Sequence, residues 1–125
     1  MELAIRAREN SYCKYSNFAV GAALLAKSGK VYIGCNVENS SFSPTCCAER
    51  TAFFSAIAAG EREFSAIAVC GGKKGKTRAT CTPCGVCRQV MSEFCGKEFP
   101  ILLEGENSDI IEITLGELLP FAFDM

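Results

Sequence analysis

Three cysteines fall within the seven residues CTPCGVC, positions 81–87, of a chain that contains no histidine. Cys84 and Cys87 are three residues apart, and Pro83 just before them is typical of a helix start. In the first turn of a helix this spacing places both sulfurs on one face. A C-x-x-C pair alone is compatible with a metal site, a redox pair or coincidence. Because histidine is absent, a zinc site built on this pair must take its other ligands from thiolates and carboxylates.

Several kinds of site could use the pair. In a thioredoxin-like redox site a strand leads directly into the cysteine pair, whereas here the polar loop 72–82 precedes it, so this interpretation fits poorly. An iron–sulfur cluster of the bacterial ferredoxin type needs a fourth cysteine followed by proline, whereas the next position in register is Met91. A structural four-cysteine zinc site could add Cys46 and Cys47 to the pair. Adjacent side chains of a helix diverge by about 100°, which disfavours this closed site without excluding it.

An open site would use Cys47, Cys84 and Cys87 only. Three protein ligands leave one tetrahedral position free for water, as a catalytic zinc requires. Glu49 lies two residues after Cys47 at the same predicted helix start, where its side chain can bend toward a ligand beyond the helix end. Zinc beside a carboxylate is the minimum needed to activate water and move its proton. The pairing of C-A-E with P-C-x-x-C therefore indicates hydrolytic chemistry far more strongly than either half.

Hydrophobic patterning predicts a layered α/β fold around a sheet of about five strands, with β-type segments interleaved with helical ones. Hydrophobic residues make up 49% of the 125 residues, which is consistent with one domain spanning 1–125. The continuous apolar run 64–71 is typical of a central strand that is covered on both faces. The predicted strands are 18–26, 30–36, 64–71, 99–103 and 110–113. The predicted helices are 1–10, 46–60, 84–95 and a short one within 114–125.

Charge and hydropathy exclude other classes of partner. No uncharged apolar run approaches the roughly 20 residues that a membrane helix needs. The first ten residues mix apolar and charged side chains, unlike a secretory signal, so a cytoplasmic location is expected. The 13 basic and 14 acidic residues give no broad positive field for nucleic acid.

Together the motifs resemble the small zinc-dependent cytidine deaminases, in particular the homotetrameric branch with a three-cysteine zinc site. The resemblance implies a three-layer fold with a central mixed sheet and one Zn²⁺ per chain. It also implies hydrolytic deamination of cytidine and 2′-deoxycytidine to the uridine products with release of ammonia, in pyrimidine salvage. The collinear segments that carry it are YSNFAVGAALL (15–25), GCNVENSS (34–41), CAERTA (47–52), PCGVCRQV (83–90) and ELLPFAF (117–123).

The resemblance also assigns roles to individual residues. Cys47, Cys84 and Cys87 would bind zinc, and Glu49 would shuttle protons to the pyrimidine N3 and to the departing ammonia. The backbone at Ala48 and Cys84 would recognise the exocyclic amine. The remaining substrate-binding residues would be Asn36 and Glu38 at the ribose, Phe18 against the base, and Phe123 in the site of a neighbouring subunit.

The charge of the site suggests a role for Arg50. Zinc with three thiolates carries a net charge of −1, which opposes the acidification of bound water. Two helix amino termini that face the metal would supply roughly +0.5 each. Arg50 would add a full positive charge if it hydrogen-bonds the sulfurs, and the family resemblance points the same way.

Two positions depart from the family pattern, and two alternatives follow. Phe42 replaces the usual tyrosine, and Cys46 is an unusual neighbour for a zinc ligand. The enzyme could instead deaminate a modified cytosine nucleoside or a nucleoside antibiotic. A non-catalytic module stabilised by zinc is a further alternative, and it predicts four sulfur ligands with Cys46 or Cys81 completing the set.

Overall fold

A computed structural model describes all 125 residues of the chain. It contains five strands, four α-helices and a short 3₁₀ turn at Glu106–Ser108. In chain order the elements are α1 (Glu2–Arg8), β1 (Phe18–Ala26), β2 (Val31–Cys35), α2 (Ala48–Ala58), β3 (Phe64–Lys73), α3 (Gly85–Phe94), β4 (Pro100–Glu104), β5 (Ile110–Thr114) and α4 (Leu115–Leu118). No helix combines the length and the apolar character that a membrane span requires.

The five strands form one mixed sheet in the order β2-β1-β3-β4-β5. Only β3 and β4 are parallel, with Ile67 opposite Ile101, and α3 makes the crossover between them. The other neighbouring pairs are antiparallel. The apolar strand β3 occupies the centre of the sheet, as its sequence predicted, and β1 keeps the predicted bounds 18–26.

Two glycines let helices approach the sheet from opposite faces. A Cβ at Gly21 would lie 1.9 Å from the backbone oxygen of Ala4 in α1. A Cβ at Gly34 would lie 2.3 Å from the backbone oxygen of Ala48 in α2. Gly34 pairs with Ala22, the residue after Gly21, and consecutive residues of a strand face opposite sides. The chain therefore has three layers, α1 on one face and α2 on the other, and the α/β expectation is confirmed.

The two faces of the sheet are buried to different extents. The face covered by α2 and α3 carries a core of 17 buried residues, whereas the α1 face carries four. Phe53, which is fully buried, lies at the centre of the larger core and contacts the rings of Phe64, Phe94 and Phe99. The starts of α2 and α3 are thus anchored on the better-packed side.

The predicted helices 46–60 and 84–95 begin later than expected. Cys47 and Cys84 are the N-cap residues of α2 and α3, and both have extended backbones. Cys46 lies outside the helix because its backbone N–H and C=O bond Val37, with both N···O distances 2.9 Å. The prediction that Cys46 and Cys47 are helical was therefore wrong, since a bridge to a distant segment replaces the first turn.

Candidate metal centre and active site

Two helix starts bring three sulfurs together. Cys47 precedes α2, Cys84 precedes α3, and Cys87 lies in the first turn of α3. The Sγ atom of Cys84 is 3.7 Å from that of Cys47 and 3.5 Å from that of Cys87. All three ligand atoms lie within 4.8 Å of one another. The structure thus assembles the three cysteines that the sequence grouped.

The spacing of the sulfurs suits zinc. At a Zn–S distance of about 2.3 Å, the sulfur–sulfur edges of a tetrahedron are about 3.8 Å long. Cys87 is buried, Cys47 is half-buried and Cys84 is exposed, so the cluster is closed on one side and open on the other. Neither Cys46 nor Cys81 joins the group. The donor set therefore fits one zinc ion with three sulfur ligands, and it does not show the four-sulfur site of the non-catalytic alternative.

The helix starts also provide positive potential at the cluster. The first N–H groups of a helix have no acceptor within the helix, and they carry the positive end of its dipole. The N-cap side chains of Cys47 and Cys84 make no hydrogen bond to these groups. Two helix amino termini thus lie beside the thiolates, as the charge argument required.

Glu49 lies in the first turn of α2, and only 4% of its surface is exposed. Burial raises the pKa of Glu49 to about 7, and the neighbouring Cys47 thiolate acts in the same direction. A carboxyl group with such a pKa can both accept and release a proton near neutral pH. The position and environment of Glu49 therefore suit a proton carrier beside the cluster.

Arg50 makes the sulfur contact on which the charge argument depended. Its Nη2 atom donates to the Sγ atom of Cys47 across 3.2 Å. Hydrogen bonds from Cys87 and Arg50 hold the pKa of Cys47 below its ordinary value, against the opposing effect of burial. The Nε atom of Arg50 is buried without a hydrogen-bond partner, the single such side-chain atom in the chain. Because the guanidinium donates to a sulfur of the cluster and is partly buried there, Arg50 is not an ordinary surface arginine.

A backbone bridge joins the N-V-E motif to the metal cysteines. Val37 pairs with Cys46 in antiparallel fashion and also forms a parallel bridge with Tyr12. The bridge therefore joins the residue after Asn36 to the residue before Cys47, and it brings the N-V-E motif close to the start of α2.

Asn36 is buried, and its side-chain amide is largely occupied by hydrogen bonds within the chain. Its Oδ1 atom accepts the N–H of Val20 at 2.9 Å, and its Nδ2 atom donates to the carbonyl of Phe18 at 2.8 Å. An asparagine amide has two donor hydrogens, so one remains for a ligand. Asn36 consequently fixes the start of β1, a role that the sequence alone did not predict.

Glu38 is held by the loop that precedes β1. Its Oε1 atom accepts the backbone N–H groups of Tyr15 and Ser16, both at 3.0 Å. Its Oε2 atom accepts the hydroxyl of Ser16. These hydrogen bonds, that of the Ser16 hydroxyl first, lower the pKa of Glu38. Sequence reasoning missed Ser16, and a serine two residues before a strand start, typical of a local side-chain turn, was the available signal.

The other predicted site residues lie in different surroundings. Phe18 is half-buried at the start of β1, with its ring beside Gly71 and the side chain of Cys81. Ala48 is fully buried as the first residue of α2, where its N–H has no acceptor within the helix. Phe42 is 74% exposed with a left-handed backbone, φ 63°.

Phe123 lies away from the three metal-site cysteines of its own chain. Its carbonyl accepts Gln89 Nε2 at 3.1 Å, and it lines a cavity with Ser92 and Cys95 at the carboxyl end of α3. Cys84 and Cys87 lie at the amino end of that helix. The side chain of Phe123 is 67% exposed, so the structure does not bring it to the site of the same chain.

Comparison with known proteins gives one consistent family. Residues 1–103 match the family described as the cytidine and deoxycytidylate deaminase zinc-binding region. A cytidine deaminase of Sporosarcina psychrophila is 52% identical over 118 residues, which cover 94% of this chain and 84% of that protein. One from Halalkalibacterium halodurans is 51% identical over 120 residues, covering 96% and 88%.

The fold agrees with the sequence match. The crystal structure of the cytidine deaminase from Burkholderia pseudomallei superposes with a TM-score of 0.88 at 51% identity, covering 98% of this chain and 94% of that one. Fold, sulfur cluster and sequence similarity point in the same direction. The chain belongs to the cytidine and deoxycytidylate deaminase family of zinc enzymes.

Proposed function

We propose that the protein catalyses the hydrolytic deamination of cytidine and 2′-deoxycytidine to uridine and 2′-deoxyuridine, with release of ammonia, in pyrimidine salvage. The observation that carries the proposal is the juxtaposition of an open three-sulfur cluster with the buried carboxylate of Glu49. A structural zinc site has no use for such a carboxylate. The family relationship supports the same activity.

In this function Cys47, Cys84 and Cys87 hold one zinc ion. The zinc supplies a Lewis acid that makes water a better nucleophile near neutral pH. Glu49 accepts a proton from the attacking water and delivers it to N3 of the pyrimidine. After the C4–O bond has formed, Glu49 takes the remaining proton from the new C4 hydroxyl and passes it to the amine. The C4–N bond then breaks, ammonia leaves, and the oxygen remains as the C4 carbonyl of the uridine product. Arg50 donates to Cys47 and offsets part of the thiolate charge.

Recognition of the nucleoside divides between two motifs. The remaining amide hydrogen of Asn36 and the carboxylate of Glu38 contact the ribose, with Glu38 accepting a hydroxyl proton. Phe18 packs against the base, and the backbone at Ala48 and Cys84 reads the exocyclic amine. The bridge between Val37 and Cys46, which are adjacent to Asn36 and Cys47, supports a ribose site beside the metal.

The assembly we propose is a homotetramer of single-domain chains, residues 1–125, in the cytoplasm. Phe123 of one subunit reaches the site of its neighbour. Phe123 is exposed and packs at the carboxyl end of α3, away from the metal-site cysteines of its own chain, which supports this assignment. Free nucleosides are the substrates and nucleic acid is not, because the chain is nearly neutral. Sedimentation of the purified protein as a monomer would contradict the shared site.

The first test is ammonia release from cytidine by the purified, zinc-loaded protein. Rapid release is the expected result, and 2′-deoxycytidine should also react. A panel that includes modified cytosine nucleosides and nucleoside antibiotics identifies the best substrate by kcat/KM. Folded, zinc-containing protein that releases ammonia from none of them would refute the enzyme. X-ray absorption should show three sulfur ligands and one light-atom ligand, since four sulfurs would indicate the structural module.

A further inference from the structure

We propose that Ser16 is a positioning residue that fixes the Glu38 carboxylate to accept a single sugar hydroxyl. The inference rests on the proposed function. Ser16 is not among the residues to which the family resemblance assigns a role. Its hydroxyl contacts two that are, Glu38 and Phe18.

The hydrogen bonds of Ser16 leave Glu38 little freedom. The backbone N–H of Ser16 donates to Oε1 of Glu38, and the Ser16 hydroxyl donates to Oε2. The N–H of Tyr15 gives Oε1 a second donor. A glutamate side chain has three rotatable bonds, and donors on both oxygens are needed to hold the carboxylate in one orientation. Without the hydroxyl, Oε2 has no partner in the protein.

The same contacts limit what Glu38 can bind. An ionised carboxylate has about four acceptor sites, and three are filled by Tyr15 and Ser16. The fourth belongs to Oε2. Tyr15, Ser16 and Glu38 line a cavity of about 530 Å³ together with Phe42. The Glu38 carboxylate can therefore accept a hydrogen bond from one further hydroxyl group, through the free acceptor site on Oε2.

Ser16 also connects the sugar side to the base side. Its hydroxyl oxygen accepts the N–H of Phe18 at 3.0 Å, while Asn36 holds the Phe18 carbonyl at 2.8 Å. Lys73 is the last residue of β3, and its Nζ atom donates to the carbonyl oxygen of Ser16 at 3.2 Å. Ser16 thus sets how far the Glu38 carboxylate lies from Phe18, which fixes the spacing of sugar and base contacts.

The network is not part of the core. Ser16 is exposed, as are all four residues from Lys14 to Asn17. Exposed hydrogen bonds of this kind add little to global stability, because water replaces them when they are lost. Loss of the Ser16 hydroxyl should therefore change substrate recognition much more than folding.

The test compares Ser16→Ala, Ser16→Thr and wild type on cytidine and on 2′,3′-dideoxycytidine, which lacks both ring hydroxyls. On cytidine, Ser16→Ala should raise KM by about tenfold, the scale of one hydrogen bond to a charged group, with kcat within about twofold. On the dideoxy substrate, Ser16→Ala and wild type should have the same kcat/KM. Ser16→Thr keeps the hydroxyl and should restore the cytidine KM.

A double variant and a matched control complete the design. Ser16→Ala added to Glu38→Gln should cause no further loss on cytidine, because the group that Ser16 positions has already been changed. Ser55→Ala removes an exposed serine hydroxyl from α2 and should behave as wild type. Melting temperature and zinc content should be unchanged in Ser16→Ala.

Each contrary result has a definite meaning. An equal loss on both substrates would overturn the inference, since it would reveal a general structural role. A Ser16→Ala variant with the wild-type KM for cytidine would overturn it too, while leaving the enzyme intact. Wild-type protein that deaminates neither substrate would refute the proposed function itself, and the inference with it.

Discussion

The cysteine cluster and the loops around Glu38, for which we propose sugar binding and which we call the sugar side, are held in place by different means. At the cluster, helix starts anchored on the main core place Cys47 and Cys84, and the reactive atoms are on the side chains of those same residues. On the sugar side, Glu38 is held by the side chain and backbone of a loop 22 residues earlier in the chain. The cluster depends on backbone packing, whereas the sugar side depends on exposed hydrogen bonds. Substitutions in the two regions should therefore fail in different ways.

The largest effect is expected from Cys84→Ala, which removes one of three sulfurs. Loss of residues that only support a metal ligand costs about 10- to 100-fold in affinity, so loss of a ligand should cost more. Deamination should become undetectable. Zinc content after dialysis and ammonia release measure both effects, with Cys46→Ala as the neighbouring control. If Cys46→Ala loses zinc as well, the three-sulfur site is wrong.

Glu49→Gln should separate metal binding from chemistry. The amide keeps the shape of the side chain but cannot carry the proton, so kcat should fall by about 10²- to 10⁴-fold, as for loss of a general acid–base group. Zinc content and the melting temperature should remain close to those of wild type. Full activity in this variant would refute the role of Glu49.

Arg50→Gln tests whether the guanidinium tunes the cluster. The variant loses the donor to Cys47 and a positive charge beside three thiolates. Activity should fall by about 10- to 100-fold, the range for groups that support metal ligands, and zinc should dissociate faster. Stopped-flow transfer of zinc to a chelator measures the second effect. Unchanged kinetics in both assays would reduce Arg50 to a packing residue.

Glu38→Gln should have the smallest of these effects, and the effect should be confined to substrate recognition. KM for cytidine should rise by about tenfold with zinc content unchanged, since the hydroxyl acceptor loses its charge. The sign of the pH dependence follows from the pKa of Glu38, which Ser16 holds below its ordinary value of 4.5. Wild-type KM should therefore be flat between pH 7 and 5 with respect to this group and rise only below its lowered pKa. A rise in KM centred near pH 6 would indicate another group.

The contrast also explains what the sequence could predict. The bounds of β1, the central place of β3 and the pairing of Cys84 with Cys87 follow from local pattern and spacing, and the structure agrees. Cys47 was added to the pair through the C-A-E motif and the family resemblance, and its sulfur lies in the same group. The charge of the site gave Arg50 a role on the condition that it hydrogen-bonds the sulfurs, and the structure contains such a bond to Cys47. The late start of α2 could not be predicted, because it depends on the pairing of Cys46 with Val37, and no local propensity reveals that contact.

The hydrogen bonds of the sugar side were equally hidden. A serine near a strand start predicts a turn, but its bond to Glu38 spans 22 residues and depends on the completed β1–β2 pairing. Asn36 shows the same limit, because its sequence context suggested a ligand-binding group and its side chain is mainly engaged with β1. Spacing predicts ligands on one helix, whereas loop contacts need the whole fold.

The division of the cysteines between α2 and α3 has a consequence for biosynthesis. Cys47 and Cys84 are separated by β3, the strand on which the rest of the sheet is built. Nascent chains grow at about 5–20 residues per second, so Cys47 leaves the ribosome roughly 2–7 s before Cys84. During that interval it has no partner sulfurs from α3. Capture of zinc is thus a late step in the maturation of the newborn chain, and the ion arrives at a sheet whose first three strands are already available to pair.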